Sequence, residues 1–546
     1  MPTASDTSIK DWIHRSVKPD DFLDKDPKVS GVHFEAVIPS SKIVEAAEEF
    51  LKRQYYLESL TAVDFAECFE LVYHFNHQNS HARFVVKTLT PKKADGSPDG
   101  ETPTLSAVYK SANWYEREIR EMFGIAFNGH PNPKNLLLPE SSTIHPLLKS
   151  FKGEPKGSDV EQSLKLIEED KQGFEVAYPK SITQHENDYY LNLGPQHPST
   201  HGVLRILLHL NGERVLDGEP VLGYSHRHHE KMMEIQNYLA CWPNFGRLDY
   251  VGAMSYNFGY ALLVEKAMGV TPPPRVEYIR VIATELNRIS SHLLWLGTFL
   301  MDLGAMTPFF YCFDDREKIL DILEMASGER LTYDYFRFGG VDHDFPAETV
   351  PAIKEFIPDF KKRMRQYDKL ITKNIIFRKR VEGLGVLSKE TALQYGVTGP
   401  CLRATGVALD ERRRDPYSLY PQLDFNIPTR TQGDVFARYE VRLEEIQESL
   451  KIITQLMDKI PEGPITAGKL PKNVPKGEYY SNVESARGSF GIYLVSDGSL
   501  NPYRMKLRTP SFSNLNAIVD MMPGYFVSDV VAILGSIDIV LPEIDR

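Results

Sequence analysis

The sequence predicts an α+β chain: a small α/β domain, then a larger and mainly helical domain carrying a β-hairpin and short-sheet elements. Three observations predict it. Residues 31–151 alternate in strand fashion through VHFEAVIP, LTAVDF, FELVYHF and ARFVVKTL, and a period of two turns one apolar face towards a core. Residues 152–186 become charged and lose apolar periodicity through KGEPKGSD and IEEDKQG, the composition of a linker. Beyond them apolar residues recur at the helical period over 226–241, 248–269, 275–304, 314–327 and 434–460. Residues 1–30 stand as an N-terminal extension and 187–546 as the second domain. At about 100–200 residues per domain, the chain is long enough for two substantial cores.

Residues 43–56 have the pattern of an amphipathic helix, and the stretch PKKADGSPDGETP, 91–103, reads as an exposed loop. Residues 189–193 and 203–210 read as the arms of a hairpin whose tip is GPQHPSTHG, 194–202. Pro195 and Pro198 bar a helix there, so a turn presents His197 and His201. The run LLWLGTFLMDLGAMTPFFYCF, 293–313, has the length of a membrane span but contains Asp302 and Pro308, and reads instead as a buried core helix. A lone carboxylate in apolar surroundings costs several kcal/mol, so Asp302 requires a histidine or arginine partner. Strands return in FGIYLVSD and YRMKLRTP, and no internal repeat is visible.

Acidic residues outnumber basic ones by 74 to 63, with a net charge of -11 and no basic block, which excludes nucleic acid as the expected partner. The opening MPTASDTSIKDWIHR has no charged segment followed by an apolar core, so the chain is expected to stay in the cytoplasm. Cys68, Cys241, Cys312 and Cys401 form no CxxC pair, which argues against a disulfide framework and against a self-contained zinc or iron–sulfur site.

Four features carry chemistry. His226, His229 and Glu230 in GYSHRHHEKM fall at spacings that share a helix face, so with His197 and His201 a zinc hydrolase is conceivable, although HExxH is absent. Tyr250, in RLDY at a helix opening, offers a phenolic donor and an apolar ring. Glu277, Arg280, Glu285, Arg288 and His292 form a charged ladder that reads as a solvated helix face. A pocket of His201, Tyr250 and Asp302 would combine donors for a carbonyl with a carboxylate that orients the imidazole, an arrangement suited to a quinone. Quinone reduction needs electrons, and these must come from a cluster or flavin on another subunit or from a carrier bound noncovalently.

These residues resemble the quinone-module subunit of respiratory complex I, NADH:quinone oxidoreductase. LNLGPQHPSTHGVLR, HRHHEK, RLDY, MDLGAMTPFF, ESARG and VSDG recur in the family's order from Tyr189 to Arg546. The first domain is similar to the small partner subunit of the same enzyme through LTAVDF, WYEREIREMFGIAFNGHP, LLLP and HPLLKSF. Two adjoining families in one chain resemble the polypeptide in which the C and D subunits are fused.

The resemblance implies a relationship to the large subunit of nickel–iron hydrogenases. It also implies that His201 and Tyr250 bind the quinone headgroup, that Asp302 contacts His201, and that His197 belongs to the same loop and shapes it. Arg227 would lie near the iron–sulfur cluster of the neighbouring B subunit, this chain binding no cofactor of its own. Further partners would be the I subunit, other peripheral-arm subunits and the membrane-arm H subunit, at the cytoplasmic face of a bacterial inner membrane. Hydrogen activation is excluded on ligand chemistry, since the two CxxC pairs that hold the hydrogenase metal are missing. A non-catalytic assembly scaffold is the competing reading. Two positions depart from the family: His228 stands where glycine is usual, and Thr332 where a histidine often responds to cluster reduction. Threonine does not titrate, so the pH dependence of the cluster potential should be altered; a potentiometric titration with an ordinary slope would contradict this.

Overall fold

The computed structural model describes residues 9–152, 188–200 and 202–546, so nearly all of the expected linker lies outside the described residues. The first domain is built on a five-stranded sheet of β1 (Asp21–Asp24), β2 (Phe34–Val37), β3 (Tyr55–Asp64), β4 (Cys68–His77) and β5 (Phe84–Pro91), in the order β1-β2-β5-β4-β3. β2 and β5 are parallel and the other pairs antiparallel. β1 falls within the residues expected as an extension, so the sheet begins before Gly31. The helix between β2 and β3 is Ile43–Lys52, shorter than the expected 43–56 because β3 already starts at Tyr55. Ile43, Ala46, Ala47 and Phe50 form its buried stripe. Short parallel strands β6 (Glu101–Pro103) and β7 (Ala126–Asn128) flank the helix Ala112–Phe123.

β3 is the edge of this sheet, yet all ten of its residues are buried. An unpaired edge leaves carbonyls that need donors. The second domain supplies them: the Arg504 guanidinium donates to the Ala62 carbonyl at 3.3 Å and that of Arg508 to the Glu58 carbonyl at 3.4 Å.

The second domain opens with the expected hairpin. β8 (Asp188–Leu193) pairs antiparallel with β9 (Arg205–Asn211), which pairs with β10 (Arg214–Val221). β11 (Phe336–Arg337) and β12 (Gly340–Val341) make a small ribbon. β13 (Gly477–Glu484), β14 (Ser489–Ser496) and β15 (Arg504–Arg508) form an antiparallel sheet that includes both terminal strands read from the sequence. The helix Pro274–Asp302 is the axle, about 43 Å long at 1.5 Å per residue. Against it pack the helices Ala253–Met268, Met306–Ser327, Val435–Leu456 and Val527–Ile537.

Two expected helices are broken. The pattern over 226–241 yields only His229–Ile235, because His228 is left-handed (φ 54°, ψ 40°) and a fresh helix, Trp242–Leu248, starts with Pro243 in its first turn. The apolar run 293–313 spans two helices that part at Leu303–Ala305, where Gly304 is left-handed at φ 86°. Among the described residues no helix is long and apolar enough to cross a membrane.

Candidate functional site

Glycine sets the shape of the hairpin tip. At Gly194 (φ 91°) a β-carbon would lie 2.0 Å from the Leu204 carbonyl oxygen, so only glycine lets the two arms close this tightly. His197 is exposed; its ring Nδ1 accepts from the Ser199 amide at 3.2 Å, and its carbonyl accepts from the Thr200 hydroxyl at 2.8 Å. Those bonds fold the loop on itself. His201 lies outside the described residues. Its neighbours are fixed: the Thr200 hydroxyl is also 2.9 Å from the Gly202 carbonyl, and a β-carbon at Gly202 would come within 2.7 Å of Leu541.

Tyr250 does not open a helix as expected but occupies the turn between Trp242–Leu248 and Ala253–Met268. Asp302 is half-buried at the last position of the long helix, at the end of the pattern expected over 275–304. The fold brings both to a single cavity of about 200 Å³, together with Pro198 of the hairpin tip. Leu294, Met301, Ile539 and Val540 make its apolar wall, and Arg487 and Asp538 its polar one.

Arg487 is buried at 1% exposure. Its guanidinium donates to both Asp249 oxygens at 3.0 and 2.8 Å, to Asp538 at 3.2 Å and to the Ser291 hydroxyl at 3.2 Å. Asp249 also accepts from the amides of Val251 and Gly252, which ties the turn carrying Tyr250 to this arginine. Burial works against the Arg487 charge, but Asp249 and Asp538 more than restore it and hold the pKa above its ordinary value. Burial pushes the Tyr250 phenol up, with Arg487 pulling the other way and Asp249 and Asp538 adding to the rise. Tyr250 therefore keeps its proton at neutral pH and remains a donor.

The other candidates go elsewhere. The expected shared face of His226, His229 and Glu230 does not form, because His226 precedes the helix. His226 Nδ1 is 2.6 Å from the Asp545 carbonyl, His229 Nδ1 is 3.1 Å from the Asn244 amide oxygen, and Glu230 accepts from Arg504 at 2.6 Å. Arg227 is exposed between them and solvent. His228, where glycine was expected, adopts a backbone that glycine favours, so the substitution keeps the local path. Thr332 is left-handed too, at φ 53°.

The charged ladder is not a solvated face. Arg280, Glu285, Arg288 and His292 are each 1% exposed or less, and Glu277 is half-buried. Arg280 pairs with Glu265 at 2.6 Å, while Glu285, Arg288 and His292 meet a buried ionic cluster in which Arg412 reaches Glu285 at 3.2 Å, Arg403 reaches Glu445 and Glu484 at 2.7 Å each, and His292 lies 3.2 Å from Glu445. Asp410, Glu445 and Glu484 lie close enough together to hold a metal ion, but Arg403 and Arg412 already pair with them.

Three residues of this site are missing from the sequence-based set. Asp249 adjoins Tyr250 in RLDY, and Arg487 is the arginine of ESARG. Asp538 is a lone carboxylate in the apolar run ILGSIDIVLP, the same signal that singles out Asp302.

The sequence profile of the respiratory-chain NADH dehydrogenase 49 Kd subunit matches residues 302–473 and 469–546, and that of the 30 Kd subunit matches 36–157. The NADH-quinone oxidoreductase C/D subunit of Phocaeicola vulgatus is 40% identical over 523 residues, 93% of this chain and 99% of the relative. The chain belongs to the family of NADH-quinone oxidoreductase C/D subunits. An NADH-quinone oxidoreductase D subunit from Syntrophobacter fumaroxidans is 52% identical over 363 residues, 66% of this chain and 97% of that protein. The C/D chain therefore joins in one polypeptide what other organisms also use as a free-standing D subunit.

Proposed function

We propose that this chain, as a peripheral-arm subunit of an NADH-quinone oxidoreductase, forms most of the site at which quinone is reduced to quinol, and that the cavity of Tyr250 and Asp302 is that site. The observation that carries it is convergence: two residues chosen for their chemistry, from separate elements, line one cavity with Pro198 of the hairpin tip that bears His197 and His201. The apolar wall suits a quinone ring, and protonated Tyr250 is placed to donate to a carbonyl. His201, close to Pro198 in sequence, would supply the second donor, with Asp302 balancing its charge.

Electrons would arrive singly from an iron–sulfur cluster held by a neighbouring B subunit. Arg227, between His226 and His228, marks the surface through which this chain would meet that neighbour. The I and H subunits and the cytoplasmic face of the membrane belong to the same reading, as does a relationship to hydrogenase large subunits without their metal. Proton translocation would then follow in the membrane subunits.

Tyr250→Phe in the assembled complex tests this. Quinone reduction should fall about 100-fold or more, as expected when one general acid is lost, while transfer to ferricyanide, a water-soluble acceptor, stays intact. Unchanged quinone turnover would leave the chain a scaffold.

A further inference from the structure

Quinone reduction consumes protons, and the following inference rests on the cavity being the site of that reaction. A line of buried titratable groups runs from its polar wall to the seam between the two domains. Asp538, on the wall, has one oxygen bonded to Arg487 and the other, Oδ2, without a hydrogen-bond partner among the described residues, with Arg442 4.0 Å away. His292, whose imidazole feels the Asp538 charge, is 0% exposed, and both ring nitrogens lack a hydrogen-bond partner among the described residues. Its Nε2 is 3.2 Å from Glu445 Oε2, which has no hydrogen bond either.

From Glu445 the line continues through Arg403 to Glu484, 2.7 Å on each side. Glu484 Oε2 accepts from the backbone amide of Glu411. Glu411 is held by Arg414, which lies 3.7 Å from Glu58 of the first domain. Glu58 is bound by Arg83, and Arg83 donates to Asp415 at 3.1 Å. Asp415 and His81, 3.3 Å apart, are 28% and 22% exposed at the seam.

A structural ion network satisfies its own members, since an unpaired buried polar atom destabilises the fold. This one does not. Asp538 Oδ2, both His292 nitrogens, Glu445 Oε2, Arg403 Nε and Arg288 Nη1 all lack a hydrogen bond among the described residues, and such clusters of buried polar atoms are where proteins hold internal water.

We propose that this line is a hydrated proton-transfer route from the domain seam to the cavity, with His292 as the relay between Glu445 and Asp538. A proton enters from solvent at Asp415 and His81 and passes between carboxylates through water. His292 takes it on one ring nitrogen and releases one from the other, and the ring then returns to its starting tautomer before the next transfer. The delivered proton goes to the reduced substrate. Arginine does not give up its proton; Arg83, Arg414, Arg403, Arg442 and Arg487 hold the carboxylates in line.

The groups facing His292 fit the role. Glu445 and Arg442 come from the helix Val435–Leu456, Asp538 from the turn after Val527–Ile537, and Arg288 and Glu285 from its own helix. Burial depresses the imidazole pKa, Glu445 raises it, Arg442 lowers it and Asp538 raises it. Farther along, burial and then Asp410 lift Glu484 to about 7, so it exchanges its proton near neutrality.

The test is His292→Gln, with Glu484→Gln as a second variant, in the assembled complex. Quinone reduction should show kcat about tenfold lower at pH 8, a smaller loss at pH 6, an unchanged KM for quinone and an enlarged solvent deuterium isotope effect, with ferricyanide reduction intact. Wild-type kcat, pH profile and isotope effect in both variants would overturn the route, as would a raised KM with an unaltered isotope effect. If His292→Gln does not assemble, Glu484→Gln decides; loss of assembly in both would overturn the route and assign the network to stability alone. Tyr250→Phe separates the two readings: if it impairs quinone reduction and these variants do not, only the route fails.

Discussion

Arg487 does two jobs for one charge, fixing the turn that carries Tyr250 and pairing Asp249 with Asp538 across the cavity wall. Removing one partner of a buried ion pair leaves the other uncompensated and costs about 3–5 kcal/mol. Arg487→Met should therefore destabilise the chain by that much in denaturant titrations, where Tyr250→Phe shifts the midpoint little. His226 predicts a pH limb. Burial lowers its pKa to about 4, so the folded form prefers the neutral ring; stability is full above about pH 6.5 and drains away as pH falls from there towards 4. His226→Gln should flatten that limb in melting curves between about pH 4 and 7. Thr332, a β-branched residue at positive φ, is strained, and Thr332→Asn should gain about 1 kcal/mol, read as a higher thermal midpoint.

The hairpin and the long helix are legible element by element because their signals are local: alternation, a Pro-barred turn, and a helical period kept over 29 residues. What lies opposite them is not. Charges at i, i+3 and i+4 look the same on a wet helix face as on one packed against Arg403, Arg412 and Glu445, which arrive from distant parts of the chain. Glu285, Arg288 and His292 therefore read as solvated although they are buried, while Asp302 stands out because its own neighbours are apolar. Asp538 carries the same mark but sits in a run that reads as core. The helix Ala112–Phe123 offers an element-scale prediction. Its Glu116 accepts from the Leu105 amide at 2.7 Å, and burial lifts its pKa to about 8. The folded state then holds a proton that the unfolded chain releases near its ordinary value of 4.5, so stability declines as pH rises from about 5 to 8. Glu116→Gln should remove that decline.

Across the whole molecule the two domains are joined by buried charge. Lys506 and Arg546 reach Glu118 at 2.5 and 2.9 Å, and Arg414 donates to the Tyr56 hydroxyl at 2.8 Å. Buried pairs are screened far less than exposed ones. A chain divided between residues 157 and 187 and expressed as two polypeptides should hence co-purify as a one-to-one pair in about 1 M salt, where the Debye length is roughly 3 Å; separation of the pieces on a sizing column would show that the covalent link is needed.

Gly223 sits at the start of the stretch holding His226 and His228, and a β-carbon there would fall 2.0 Å from the Leu137 carbonyl oxygen of the first domain. The first domain is thus the mould against which the histidine-bearing loop is cast. In genetic terms, a defect caused by Gly223→Ala should find its second-site suppressors not nearby in the chain but in KNLLLP, residues 134–139, where a small backward shift of Leu137 would restore the fit.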